Sequence, residues 1–408
     1  MKKYFTNIPF IILFIGLMIN GMGQSVLFSV LAPISRAIGF MDSGVGIIIS
    51  CSALTLVLFS SIWGNLIDKT DSQYVFIFGL ISFGLGSLLF AYILDLGINS
   101  DISPERTLML LIIVRIIYAA MTAGSHPAAM AYISKYTNND DRISRIALMS
   151  SSYNVGLILG PMIVFLYQSN NALSPIYLTS YLAIFFAVIS VFSLGGKSIG
   201  ITKNEVGNNN GIAIKDVRVF QGLLAILFIN TIFSTLQQSA GFLVQDLFSV
   251  SGLDASKKIG FILSAFALSM LFTQAVLMQK IKISYNKTVL IGYFLASFGL
   301  VIIILSILYK NFALVVISMA ISGIGIGYLL PSIQTFLTTL ASKNEYGKIT
   351  GYIFSFSALG YIVGPLIGTG LISTAIWLPY LISIIMLSLS AMCLLIGSKR
   401  KPKALTAS

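Results

Sequence analysis

The sequence predicts an all-α membrane protein of twelve transmembrane helices arranged as two related six-helix bundles, and three observations predict it. Hydrophobic residues make up 57% of the 408 positions while charged residues make up only 9%. Apolar runs of roughly 20 residues, the length that crosses a hydrocarbon core, recur along the whole chain. The stretch Gly156-Leu157-Ile158-Leu159-Gly160-Pro161 returns half a chain length later as Gly360-Tyr361-Ile362-Val363-Gly364-Pro365. The same displacement carries Pro127 to Pro331 and Asp141 to Glu345, so the chain reads as an internal duplication.

Taken in order, the predicted spans are 8–31, 44–66, 74–94, 107–134, 146–168, 175–195, 219–245, 259–279, 288–309, 312–341, 349–371 and 377–397. The first run is too long for a signal-peptide core and lacks a small-residue cleavage site, so it is expected to stay as a span. Spans nine and ten are separated only by Lys310 and Asn311. The expected domains are an N-terminal bundle over 1–195, a cytoplasmic linker over 196–218 and a C-terminal bundle over 219–408. The linker carries the polar run Gly207-Asn208-Asn209-Asn210-Gly211 and has a flexible composition. Cys51 and Cys393 both fall inside spans and imply no disulfide framework.

Charge sets the expected orientation. With the N-terminus inside, only Arg36, Arg106, Lys257, Lys258 and Lys310 of the twenty-five Lys and Arg face outward, and Arg115 lies within a span. All the others are cytoplasmic, which places both termini there. The net charge of +12 is scattered through short loops rather than gathered on one domain, so no nucleic-acid partner is expected. The basic tail Lys399-Arg400-Lys401-Pro402-Lys403 reads as a topological anchor beside anionic lipid.

The repeated glycine-proline helices set the packing expectation. Glycines four apart put a groove on one helix face, where another backbone can approach closely. The proline removes a backbone donor, which in lipid is tolerated only where protein or a water-filled cavity satisfies the freed carbonyl. Gly156, Gly160 and Pro161, with Gly360, Gly364 and Pro365, are therefore read as packed sites where bending is useful.

Between spans two and three stands Gly64-Asn65-Leu66-Ile67-Asp68-Lys69. Span four carries Arg115, Ala119-Ala120, Gly124 and His126-Pro127-Ala128, and Asp141-Arg142 precedes span five. With Gly160-Pro161, these residues resemble the major facilitator superfamily over nearly the whole chain, and its drug:proton antiporter branch in particular. The departures are Asp71, Ser72 and Gln73 after the loop signature, Tyr118 and Ala119 after the arginine, and Val164 and Phe165 after the proline. The usual second loop signature is missing near 279–287. The resemblance implies a secondary transporter, not an enzyme, working by alternating access, with Gly64, Asp68, Lys69 and Arg142 at the cytoplasmic gate.

Helices one, four, seven and ten line the cavity in that superfamily. Arg115, Thr122 and His126 have the spacing of one helix face. Asn20 and Gln24 in span one, Asn230, Gln237 and Gln238 in span seven, and Gln334 in span ten are the other candidate substrate contacts. None of the thirteen Asp and Glu lies mid-membrane. A lone arginine in a span is expensive unless it faces protein or water. The cavity is thus expected to be positive and to favour an anionic or neutral amphiphile, with His126 and Arg115 as candidates for proton coupling.

No phosphate loop, metal cluster or nucleophile–base set is present in the sequence, so no cofactor is expected. The expected partners are a small-molecule substrate, protons and the lipid bilayer, with the protein a monomer in a cytoplasmic membrane. Efflux in exchange for protons rests on the resemblance at Gly156, Gly160 and Pro161. Export of a carboxylate metabolite or siderophore, import by symport, and a non-transporting receptor or scaffold stay open on the residues alone.

Overall fold

The computed structural model describes residues 8–67, 69–136, 139–167, 171–194, 217–280, 284–340 and 346–398. These are helical, with no strand among the described residues. The helices are α1 (Ile8–Ile38), α2 (Asp42–Ile67), α3 (Ser72–Ile98), α4 (Pro104–Thr122), α5 (Ser125–Tyr136), α6 (Asn139–Leu166) and α7 (Ser174–Ser193). They continue as α8 (Val217–Phe248), α9 (Gly252–Phe272), α10 (Met278–Lys280), α11 (Tyr285–Tyr309), α12 (Phe312–Thr339), α13 (Tyr346–Gly370) and α14 (Leu378–Ser398). A π-helical turn, Thr273–Leu277, joins α9 to α10. Among the described residues ten helical stretches are long and apolar enough to cross a membrane, and Ser151–Leu166 and Leu378–Leu394 are shorter apolar helices. The linker expected at 196–218 falls almost wholly outside the described residues.

Local chemistry accounts for the helix ends. Ser103 caps α4 by accepting from the Arg106 amide at 3.4 Å, with Pro104 in the first turn, where its missing donor costs nothing. The narrow break between spans nine and ten is made by Lys310 in the left-handed region (φ 47) and Asn311, whose side chain accepts from the Leu314 amide at 3.2 Å. On α3, Phe78, Ile81, Leu85, Leu89 and Tyr92 are exposed while Phe76, Leu80, Phe83 and Phe90 are buried. That helical stripe of large exposed apolar groups is a face made for lipid.

Span four departs from a simple rod, as span eight does at its π-helical turn. It is interrupted between Thr122 and Ser125. The Trp63 indole donates to the Ala120 carbonyl at 2.7 Å, taking the acceptor that the Gly124 amide would use in a continuous helix. Pro127 supplies no amide of its own two residues after the break. The duplicated proline, Pro331, sits inside the unbroken α12. A shared proline therefore does not make the break, and the Trp63–Ala120 bond marks where it falls.

By backbone proximity the chain forms two compact units, Met1–Glu205 with Gln237–Ser264, and Val206–Leu236 with Ala265–Ser408. In the first, α1 packs along α6 and α7, α3 along α4 and α7, and α2 along α4. The stretch 237–264, which is the end of α8 and the start of α9, packs in this unit too. A Cβ on Gly241 would lie 2.5 Å from the Ala32 Cβ, and one on Gly260 would lie 2.8 Å from the Pro161 carbonyl oxygen. The Phe165 and Phe261 rings are 5.0 Å apart. In the second unit α11 packs along α12 and α14.

The glycine-proline helices pack as the duplication predicts. Gly156 and Gly160 of α6 lie against the backbone of α1, at Met18 and Met22, and Gly160 also meets the Ser25 side chain. Gly360 and Gly364 of α13 lie against α8 in the same way, at Leu227, Thr231 and Ser234. Hydroxyls bind across both crossings: Ser25 donates to the Gly156 carbonyl at 3.4 Å, and Thr235 to the Gly364 carbonyl at 3.1 Å. Each glycine face is thus a backbone-to-backbone contact of the kind small residues permit.

Candidate functional site

Arg115 is 1% exposed on α4 and is the largest fully buried side chain among the described residues. Its Nη2 donates to Gln24 Oε1 on α1. Its guanidinium carbon lies 4.8 Å from the Tyr118 ring centre, a cation–π contact with the residue one turn on. Tyr118 in turn meets the Phe83 ring edge-on at 6.4 Å. Tyr153 of α6 lies within electrostatic reach of the guanidinium.

The partners of Arg115 are neutral. Among the described residues no Asp or Glu forms an ion pair with it, so its full charge stands in the bundle interior. Arg115 Nε, the Tyr118 hydroxyl and Asn20 Oδ1 are buried without a hydrogen-bond partner among the described residues. Asn20 precedes Gln24 by one helical turn, on the same face of α1. Buried polar atoms left this way cost free energy until water or a ligand meets them.

The structure therefore brings Arg115, Gln24 and Asn20 into one region. Arg115 and Thr122, expected to share a helix face with His126, lie on α4, and His126 lies just beyond the interruption on α5. The Thr122 hydroxyl is used within α4, donating to the Tyr118 carbonyl at 2.6 Å, and His126 has an accessible side chain. In the second unit the Asn230 amide donates to the Ile226 carbonyl and, at 3.3 Å, to Ser357 of α13. Gln237 and Gln238 are buried, and Gln238 Nε2 has no partner among the described residues. Gln334 lines a pocket with Pro331, Thr335, Thr338, Thr350 and Ile353.

At the loop between α2 and α3, the expected close approach around Gly64 is not seen: a Cβ there meets nothing within 4 Å. Asp68 and the Arg142 side chain lie outside the described residues, and Lys69 is exposed. Among the described residues Asp71 forms an ion pair here, 3.5 Å from Lys135 Nζ at the end of α5. Sequence reasoning registered Asp71 only as a departure from the family pattern.

Sequence reasoning also missed a second charged cluster. Arg36, near the end of α1, donates from Nε to Asp42 Oδ1 at 2.9 Å and from Nη2 to Asp42 Oδ2 at 2.6 Å. It donates from Nη1 to Asp246 Oδ1 and from Nη2 to Asp246 Oδ2 at 3.2 Å. Its guanidinium carbon also lies 4.9 Å from the Phe242 ring centre. Local spacing signals the Arg36–Asp42 pair, six residues apart, but nothing in the sequence signals a partner 210 residues away.

A duplicated helical membrane protein with a buried, polar and incompletely satisfied interior has the build of a secondary transporter. The family profile described as Major Facilitator Superfamily matches residues 13–281 and 223–408. The chain belongs to that superfamily, whose members are multi-pass membrane transporters rather than enzymes. It is 23% identical over 391 residues to Multidrug resistance protein 1 of Bacillus subtilis, covering 94% of each chain. It is 21% identical over 384 residues to Quinolone resistance protein NorA of Staphylococcus aureus, covering 93% of each. The nucleoside transporter NupG shares the fold at a TM-score of 0.70 and 14% identity, over 97% of this chain and 100% of that one. A bacterial homologue of the lysosomal transporter Spinster does so at 0.69 and 14%, over 95% and 94%.

Proposed function

We propose that this transporter exports a small anionic or neutral amphiphile in exchange for protons, as a monomer in a cytoplasmic membrane. The two halves, joined at 196–218, provide alternating access to a cavity around Arg115. The observation that carries the substrate class is the buried guanidinium whose described partners, Gln24 and Tyr118, are both uncharged. A positive site without a carboxylate attracts acceptor-rich head groups and repels lipophilic cations. The multidrug and quinolone resistance relatives support export, at low identity. Drive is sufficient: one charge crossing 100 mV is worth ~2.3 kcal/mol, which sustains a gradient of roughly fifty-fold.

The test is substrate movement in proteoliposomes. Imposing an inward proton gradient should accelerate extrusion of an anionic amphiphile, and collapsing it with an ionophore should return the flux to the leak rate. Flux indifferent to the gradient would remove proton exchange from the reading. The charge bias sets the orientation, which single-cysteine labelling checks. Cysteines at Asn209 and Ser408 should react only from the cytoplasmic side and one at Asn99 only from outside; external reaction at 209 would break the twelve-span topology.

A further inference from the structure

We propose that Asp95, Tyr92, Tyr177 and Tyr181 form a binding site for a phospholipid whose head group carries an ammonium. It lies at the membrane surface where α3 ends and α7 begins, the outer one in the orientation proposed above. The two helices pack along each other and run antiparallel. A Cβ on Gly84 of α3 would lie 2.5 Å from Ile184 Cγ1 and 3.0 Å from the Ser180 carbonyl oxygen of α7. From that crossing α3 climbs through Leu89 and Tyr92 to Asp95, while α7 passes Tyr181 and Tyr177 on the way back to its first residue. The Tyr177 and Tyr181 rings are stacked, 6.5 Å apart and 22° from parallel, and Asp95 is within electrostatic reach of Tyr177. Tyr92 and Tyr181 are 55% and 60% exposed.

Asp95 gives this patch its selectivity. It stands three residues before the end of α3 at Ile98, about 5 Å inside the helix end. Among the described residues no Lys, Arg or His forms an ion pair with it. An acid drawn below the membrane surface is costly unless a cation or water meets it. Tyrosines at such a surface are common and by themselves select no head group. Here they stand beside an acid, and an ammonium on an aromatic face gains a cation–π contact as well as the opposite charge. The surface continues apolar below the acid, which favours a lipid over a dissolved cation. Leu89 and Phe185 are exposed one turn deeper than Tyr92 and Tyr181, where an acyl chain can lie and a hydrated ion cannot.

The test needs neither transport nor cargo, so it stands or falls apart from the exchange mechanism. Full-length protein is solubilised from vesicles of equal phosphatidylethanolamine and phosphatidylglycerol, and native mass spectrometry counts the lipids that stay bound. The parent should retain phosphatidylethanolamine over phosphatidylglycerol by about tenfold, the combined effect of a cation–π contact and a partly exposed ion pair. Asp95→Asn should bring the two lipids to parity. Asp95→Lys should invert the preference toward phosphatidylglycerol, a change of sign that lost packing cannot produce. Tyr181→Ala should lower the preference at an unchanged unfolding midpoint. Equal retention of the two lipids by the parent would overturn the site, and so would an unchanged preference in Asp95→Asn. Tetramethylammonium chloride should leave the bound lipid in place; displacement by it would assign the patch to soluble cations and overturn the lipid. If Asp95→Asn does not insert, Tyr92→Ala combined with Tyr181→Ala decides, and a parental ratio in that variant would overturn the site.

Discussion

Arg115→Ala should abolish transport while leaving the protein inserted and folded. The guanidinium is 1% exposed, stacked on Tyr118 and bonded to Gln24, and no described carboxylate balances it. Removing it leaves two neutral partners and no stranded charge, so folding is affected less than function. A hydrogen bond to a charged group is worth ~1.5–3 kcal/mol, about ten- to a hundredfold in transport for each such contact the substrate loses. Arg115→Lys should also be poor. An ammonium can carry the charge but cannot both stack flat on the ring and present a fork to Gln24 and a ligand. The measurement is transport by each variant beside a competition panel of anionic, neutral and cationic amphiphiles. Tight cation binding that survives Arg115→Ala would make the arginine a structural group and reverse the proposed charge preference.

Gly160→Leu should reduce transport by about tenfold or more, with Gly364→Leu matching it in the other half, since overpacking a tight contact costs ~1–3 kcal/mol. At Gly160 the added Cβ would meet the Ser25 hydroxyl and lie 2.5 Å from the Met22 carbonyl oxygen. At Gly364 it would lie 2.7 Å from the Thr231 carbonyl oxygen and 2.6 Å from the Ser234 Cβ. Backbone cannot yield as a flexible side-chain tip can, so the helices must separate and the bundle is held in one arrangement. Gly370→Leu is the control, because nothing lies within 4 Å of a Cβ there. Equal loss in all three variants would point to general damage, and parental transport in Gly160→Leu would show that this crossing need not stay close.

The fold was legible because its signals are periodic and repeated. Length of apolar run gives the spans, and the recurrence of Gly156-x3-Gly160-Pro161 at Gly360 to Pro365 gave a relation that the close backbone contacts of these glycines with α1 and α8 then displayed. Arg115 stood out as a charge in a span, and Gln24 as one of few amides in its neighbourhood. Its remaining surroundings were not legible. Tyr118 registered only as a departure from the family pattern and Tyr153 not at all, because stacking depends on rotamers and on helix rotation that composition does not encode. Gly64 looked like a packing glycine by its place in a motif, yet open space surrounds it. The break in span four coincides with a bond from Trp63, a residue on another helix, which no local reading of Gly124 to Pro127 could place. Arg36 and Asp246 meet only once the chain is folded, and no sequence period connects them.

The bond from Trp63 to the Ala120 carbonyl has an optical consequence. The protein contains two tryptophans, and the other, Trp377, is 44% exposed near the start of α14. Replacing Trp377 by Phe leaves a single indole whose N–H is committed to the carbonyl freed where span four breaks. Indole emission shifts with the polarity and hydrogen bonding of its surroundings. The wavelength of this one chromophore therefore reports whether the Trp63–Ala120 bond is made, without an added dye and without knowledge of the cargo.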